Sequence, residues 1–189
     1  NQVEITASGV ITTITQDAAN RRTTITKTVA SDPTQSQQII IQKVQLGSVS
    51  TILTTVKNNY YAGQDQSDKP IYVYRVAKAT WTDEVSNDVL LRLAASWDDH
   101  GTPSLTDDTA RVVIAGSSGY TIRYLDGITQ ISEPDANGVV GFTQSVTKNG
   151  TTTTYNYQLQ LVSPSDPSAP VGATGVIARI TASNVGAGL

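Results

Sequence analysis

Cysteine and methionine are absent from the 189 residues, and histidine occurs once. Without cysteine the chain has no disulfides, no thiolate nucleophile and no thiolate metal ligand. With a single histidine, a nucleophile–base–acid triad has only one place to form, and no Gly-x-Ser-x-Gly turn accompanies it. Charged residues make up only 15% of the chain and its net charge is −3, so there is no basic footprint for nucleic acid or an anionic membrane surface. Long apolar runs are missing too: a stretch such as Gln38–Val44 falls far short of a membrane-spanning length. No Pro/Gly/Ser-rich or highly charged stretch divides the chain into two compact halves, which leaves one domain. A chain of this composition is held together by packing and sheet hydrogen bonds alone.

The hydrophobic fraction, 38%, is low for a globular protein, and threonine supplies part of the missing bulk. Its branched Cβ suits a pleated, half-exposed strand. Short apolar or Thr-rich runs alternate with Asp-Pro, Asn-Gly, Ser-Gly and Gly-Thr-Pro clusters, the punctuation of an all-β protein. Strands are expected at Val3–Thr15, Arg22–Ala30, Gln38–Val44, Val49–Val56, Ile71–Thr80, Asp88–Ala95, Ala110–Ala115, Tyr120–Tyr124, Val139–Lys148, Thr151–Val162 and Thr174–Ala182. Asn149-Gly150 accepts the two positive φ values of a tight hairpin turn. The strand after it alternates, with Tyr155, Tyr157, Leu159 and Leu161 on one face and Thr154, Asn156, Gln158 and Gln160 on the other. Asp83–Leu93 and Gly47–Lys57 also carry helical character, but the β-branched content of the second favours a strand.

Candidate chemistry is sparse. His100 lies in Trp97-Asp98-Asp99-His100-Gly101, where Asp98 and Asp99 are the only metal-ligand neighbours, and a solvated loop is the expectation. Asp65-Gln66-Ser67-Asp68 and Asp107-Asp108 are oxygen-rich but lack the ligand count and glycine spacing of a calcium loop. Asn149-Gly150-Thr151 matches an N-glycosylation acceptor, and the hairpin turn already explains those residues. Arg21-Arg22 reads as a surface pair. No catalytic residue, metal site or cofactor is expected, and the chain is not expected to be an enzyme.

Asn1 is too large for routine removal of a preceding Met, so the expectation is a cleaved secretory segment and a secreted protein. In the first strand, Val3, Ile5, Ala7, Gly9 and Ile11 alternate with Gln2, Glu4, Thr6, Ser8 and Val10. That alternation suits either an ordinary first strand or one fitting a groove that becomes shallow at Ala7 and Gly9.

The opening Glu4-Ile5-Thr6-Ala7-Ser8 resembles that of the Cys-free major pilins of class 5, the alternate-chaperone (CFA/I and cable-pilus type) branch of the chaperone–usher fimbriae. Tyr74-Arg75-Val76 leading to Thr82-Asp83 and then Val89–Ala94 is similar to the family's mid-chain stretch. Gln158–Val162, a Pro/Ala/Gly-rich loop and Gly175–Ile180 resemble its closing strands. The chain departs from the family in having no proline before Pro33 and in longer loops around Asn58–Pro70 and Asp126–Gly138.

The resemblance implies an incomplete immunoglobulin-like β-sandwich over residues 16–189, completed by a donor strand from a neighbouring subunit. Residues 1–15 would be that donor extension, with Val3, Ile5, Ala7, Gly9 and Ile11 forming the polymer interface. The implied product is an extracellular fimbrium on a bacterial surface. Its partners would be further copies of the chain in a helical filament, a periplasmic chaperone, an outer-membrane usher and a tip adhesin. Two other readings fit the composition: a viral or phage capsid or tail protein with a jelly-roll or tube fold, and a carbohydrate-binding module using Tyr60, Tyr61, Tyr72 and Tyr74.

Overall fold

A computed structural model describes residues 1–185. The chain is all-β, and its strands are β1 (Gln2–Ala7), β2 (Val10–Asp17), β3 (Arg22–Val29), β4 (Asp32–Leu46), β5 (Val49–Gln64), β6 (Pro70–Asp83), β7 (Val89–Asp98), β8 (Thr109–Gly116), β9 (Thr121–Ile131), β10 (Val140–Lys148), β11 (Thr151–Val162) and β12 (Ile177–Val185). They form one antiparallel sheet of twelve strands in sequence order, each hydrogen-bonded to its chain neighbours. An immunoglobulin-like sandwich has two sheets joined by Greek-key connections. Here the ladder runs unbroken from β1 to β12, and every connection joins strands that are adjacent in the sheet.

The sheet is rolled. Val44 and Leu53 belong to the same apolar cluster as Val140, Phe142, Leu159 and Leu161, although β4 and β11 lie far apart in the sheet order. Only a sheet that coils back on itself lets those faces meet, as the twist of large sheets favours. Trp81, Leu91, Leu93 and Ile114 occupy the middle of the roll. Phe142 stacks on Tyr157, its ring centre 5.1 Å away.

The β9–β10 loop is tucked against the inner face of β3–β5. Gln42, fully buried, donates its amide to the Asp135 carbonyl at 2.5 Å. Arg22 donates to the Pro134 carbonyl and to Gln42, and it pairs with Glu133. Lys57 pairs with the same carboxylate at 2.5 Å. Arg22 is therefore a tertiary tether and not the surface residue its sequence position suggests. Gly138 lies in this loop with φ +74, and a Cβ there would come within 2.9 Å of Val44. Only glycine lets the loop approach so closely.

The expected strands are present, with three corrections. The run expected as one strand, Val3–Thr15, is broken by a turn at Ser8-Gly9, where both residues have positive φ. The long loop expected around Asn58–Pro70 is largely strand, because β5 and β6 extend into it, and the one expected around Asp126–Gly138 is shortened to residues 132–139, because β9 runs to Ile131. Asp83–Leu93 forms no helix: the Asp83 carboxylate accepts the amides of Val85 and Ser86 and holds a tight turn before β7. The Asn149-Gly150 hairpin forms as expected, pairing Lys148 with Thr151, and Tyr157, Leu159 and Leu161 are buried on one face of β11.

Candidate assembly edge and a polar aromatic cleft

The N-terminal hairpin redistributes the residues of the expected donor strand. Val3 pairs with Ile14, Ile5 with Thr12 and Ala7 with Val10, so these side chains share one face. Ile11 pairs with Thr6 and points to the other face, while Gly9 sits in the turn with nothing within 4 Å of a built Cβ. Gly9 therefore meets no pocket wall within its own chain. Val3 and Ile5 remain 54% and 51% exposed. Their face carries an aliphatic row across five strands: Val3, Ile14, Ile25, Ile39 and Val56 lie side by side in register. The opposite face of β1–β3 is rich in threonine. The sheet ends at β1 and β12, each paired on one side only among the described residues.

The other notable feature lies at the far end of β5–β7. Residues 99–108 fold over the end of β5 so closely that a Cβ on Gly63 would come within 2.5 Å of the Pro103 carbonyl. Asp108 at the end of this loop is 5% exposed and accepts from Arg75 Nη2 at 2.7 Å. The Arg75 guanidinium stacks over Trp97, 4.3 Å from the ring centre, and the Trp97 indole donates to the Val76 carbonyl. Burial pushes the Asp108 carboxyl above the usual carboxylate range against the pull of Arg75, with Asp107 and Asp99 adding repulsion. Around this ion pair is a cleft of about 200 Å³, also lined by Tyr60 and Tyr61.

The remaining acidic segments have turn roles. Asp65 accepts the amides of Ser67 and Lys69, and Asp107 accepts the Thr102 hydroxyl. His100 bonds Thr109 through Nε2 at 2.8 Å, and the Asp98 carboxylate caps its backbone amide. Among the described residues no three His, Asp or Glu side chains converge closely enough to hold a metal ion. Two other turn carboxylates are shifted the opposite way from Asp108. Backbone amides hold Asp83 below the usual range, and the hydroxyl and amide groups of Thr34 and Gln35 do the same for Asp32.

Linkage turns these opposite shifts into a pH signature. Asp108 has a folded pKa above its unfolded value of 3.8, so the folded chain takes up that proton first. Its contribution to stability therefore grows as pH falls through the raised folded value and is complete below 3.8. The contributions of Asp32 and Asp83 are present above 3.8 and disappear as pH falls through their depressed folded values. Melting curves of wild type and Asp108→Asn at stepwise lower pH isolate the first effect: the wild type gains on the variant as pH drops from neutral towards about 4. A difference independent of pH would contradict the assignment.

Comparison with protein-family models, curated proteins and solved structures returns no match to this chain.

Proposed function

We propose that this chain is a structural subunit of an extracellular filament, built by strand addition between copies. The observation that carries the reading is the pair of free sheet edges, with β1 presenting Val3 and Ile5 to solvent. An uncovered apolar edge strand is a template for pairing with another chain. β1 alternates Val3, Ile5 and Ala7 on one face, and β12 places Ala178 and Ile180 on its core face. Aligning β1 of one copy along β12 of the next continues the hydrogen-bonded ladder across the junction. The six residues of β1 fit within the nine of β12. Because the two edges differ, the contact is head-to-tail and open, and it propagates as a filament. Each added backbone hydrogen bond contributes about 0.5–1.5 kcal/mol.

The resemblance to class 5 pilins supports the same reading and adds a chaperone, an usher, a tip adhesin and a location on a bacterial surface. In this reading the donated edge is β1, Gln2–Ala7, still paired to β2 of its own chain. No immunoglobulin-like groove has to be vacated for the neighbour to bind. The aliphatic row on β1–β5 supplies a further surface for contacts between neighbouring copies.

The test is Ile5→Lys. Lysine on an edge strand blocks pairing, and β1 lies outside the roll's core, so the subunit keeps its circular dichroism spectrum. Filaments seen by negative-stain electron microscopy for the wild type are expected to disappear for this variant. Gly9→Leu strains only its own turn and is expected to assemble. Wild-type chain that light scattering shows to be monomeric at every concentration, or an Ile5→Lys variant that assembles like wild type, would overturn the reading.

A further inference from the structure

The aliphatic row of β1–β5 lies on the side of the sheet turned away from the core. On β4, Ile40 is 2% exposed and faces inward, while Ile39 and Ile41 on either side of it point outward and stay partly exposed. In register with Ile40 across the sheet are Gln2, Thr15, Thr24 and Thr55. In register with Ile39 are Val3, Ile14, Ile25 and Val56. Over β1–β3 the core side is therefore polar and the outer side aliphatic, the reverse of a sheet that covers only its own core. None of the five side chains of the outer row belongs to the buried apolar cluster or packs against it.

The row has the size and chemistry to take a second sheet. Five strands about 4.8 Å apart make it roughly 24 Å long, and the rows flanking it bring the width to about 20 Å. That is about 500 Å² on each copy and about 1,000 Å² for a pair, the least that a specific interface needs. The three rows hold one charged side chain, Lys27, too little to attract nucleic acid or an acidic partner. A pleated apolar face accepts another such face at a spacing of about 10 Å. A two-fold axis along the row sets each aliphatic side chain against its own copy and Lys27 against Thr23 of the other subunit. An axis along β3 would set Lys27 against Lys27, which like charge disfavours. We propose that two copies of this chain pack face to face through the outer side of β1–β5, with the two-fold axis along the row and Ile25 at its centre. The proposal deepens the assembly reading above and rests on copies of the chain associating, though not on the β1–β12 junction.

The experiment separates the face from the edge. Thr6→Lys blocks the β1 edge from the threonine side of the hairpin and leaves the row intact. This full-length variant is expected to sediment as a dimer through the micromolar range. Adding Ile25→Thr and Ile39→Thr keeps β-branched side chains in both strands, so the circular dichroism spectrum is expected to stay while dimer affinity falls about tenfold or more. The chain has no cysteine, so Ile25→Cys supplies a single thiol. Facing sheets are too far apart for a disulfide, and a short bismaleimide is expected to join two copies of Ile25→Cys. It is expected to leave Thr24→Cys unlinked, because that thiol lies on the opposite face. An edge-blocked chain that stays monomeric, association unchanged by the threonine pair, or equal linking from positions 24 and 25 would overturn the proposal. Wild type that stops at dimers linked through position 25 would support it and remove the edge junction alone.

Discussion

Trp81→Ala is expected to cost about 3–5 kcal/mol of folding stability, the range for removing a large aromatic from a packed interior. Trp81 lies on β6 between Leu53 of β5 and Leu91 of β7, its direct neighbours in the ladder, and all three are 0–1% exposed. The cavity left behind borders the centre of the roll, where rigid strands on both sides prevent collapse. Domains of this kind have about 5–15 kcal/mol in total, so the variant should populate unfolded chain at mild urea concentrations. Trp97 remains as the fluorescent reporter, and the unfolding midpoint in urea can be compared directly with wild type. A loss under about 1 kcal/mol would mean that Trp81 does not sit in the interior described here.

The second large effect is expected from Arg75→Ala. The substitution leaves the Asp108 carboxylate 5% exposed with no counter-charge, and removing one partner of a buried pair typically costs about 3–5 kcal/mol. It also uncovers the Trp97 face on which the guanidinium rests. Asp108→Asn removes the charge but keeps the shape, and its cost should be smaller. The double variant Arg75→Met with Asp108→Leu replaces the pair with apolar groups and should recover most of the loss. Urea unfolding of the four proteins separates charge from packing. If Arg75→Ala and the double variant lose equal stability, packing on Trp97 and not the buried charge would be the source of the effect. Loss in Arg75→Ala should shrink at low pH, where Asp108 takes up a proton.

Much of the sheet was legible because it rests on local rules. The period-two alternation of Tyr155–Leu161 requires one wet and one dry face, whatever the rest of the chain does. Asn149-Gly150 accepts positive φ at both positions, so the β10–β11 register follows from the turn. Ser8-Gly9 is also a turn dipeptide, and the apolar run restarting at Val10 was the signal for β2. It was hidden because Val3, Ile5, Ala7, Gly9 and Ile11 keep an unbroken period of two through the turn. A two-residue turn preserves that count in the sequence while reversing the chain, which is why Ile11 ends on the opposite face.

The cleft was less legible. Tyr60, Tyr61 and Tyr72 stood out as aromatics, but nothing near Asp107-Asp108 distinguishes the exposed carboxylate from the buried one. Arg75 lies 33 residues away from Asp108 in the chain and meets it only after the loop has folded over β5. Arg22 shows the same dependence, since its partners Glu133 and Pro134 lie more than a hundred residues further on.

Composition, alternation and turn dipeptides thus settle that this is a Cys-free antiparallel β protein, because each acts over a few residues and is indifferent to what lies further along the chain. Whether those strands divide into two sheets or roll as one is decided by contacts between β4–β5 and β10–β11, which no local period encodes. The assembled sheet does the rest: it makes a tether of Arg22, raises the Asp108 carboxyl and leaves β1 at an open edge, because desolvation and edge position exist only once the whole sheet has formed.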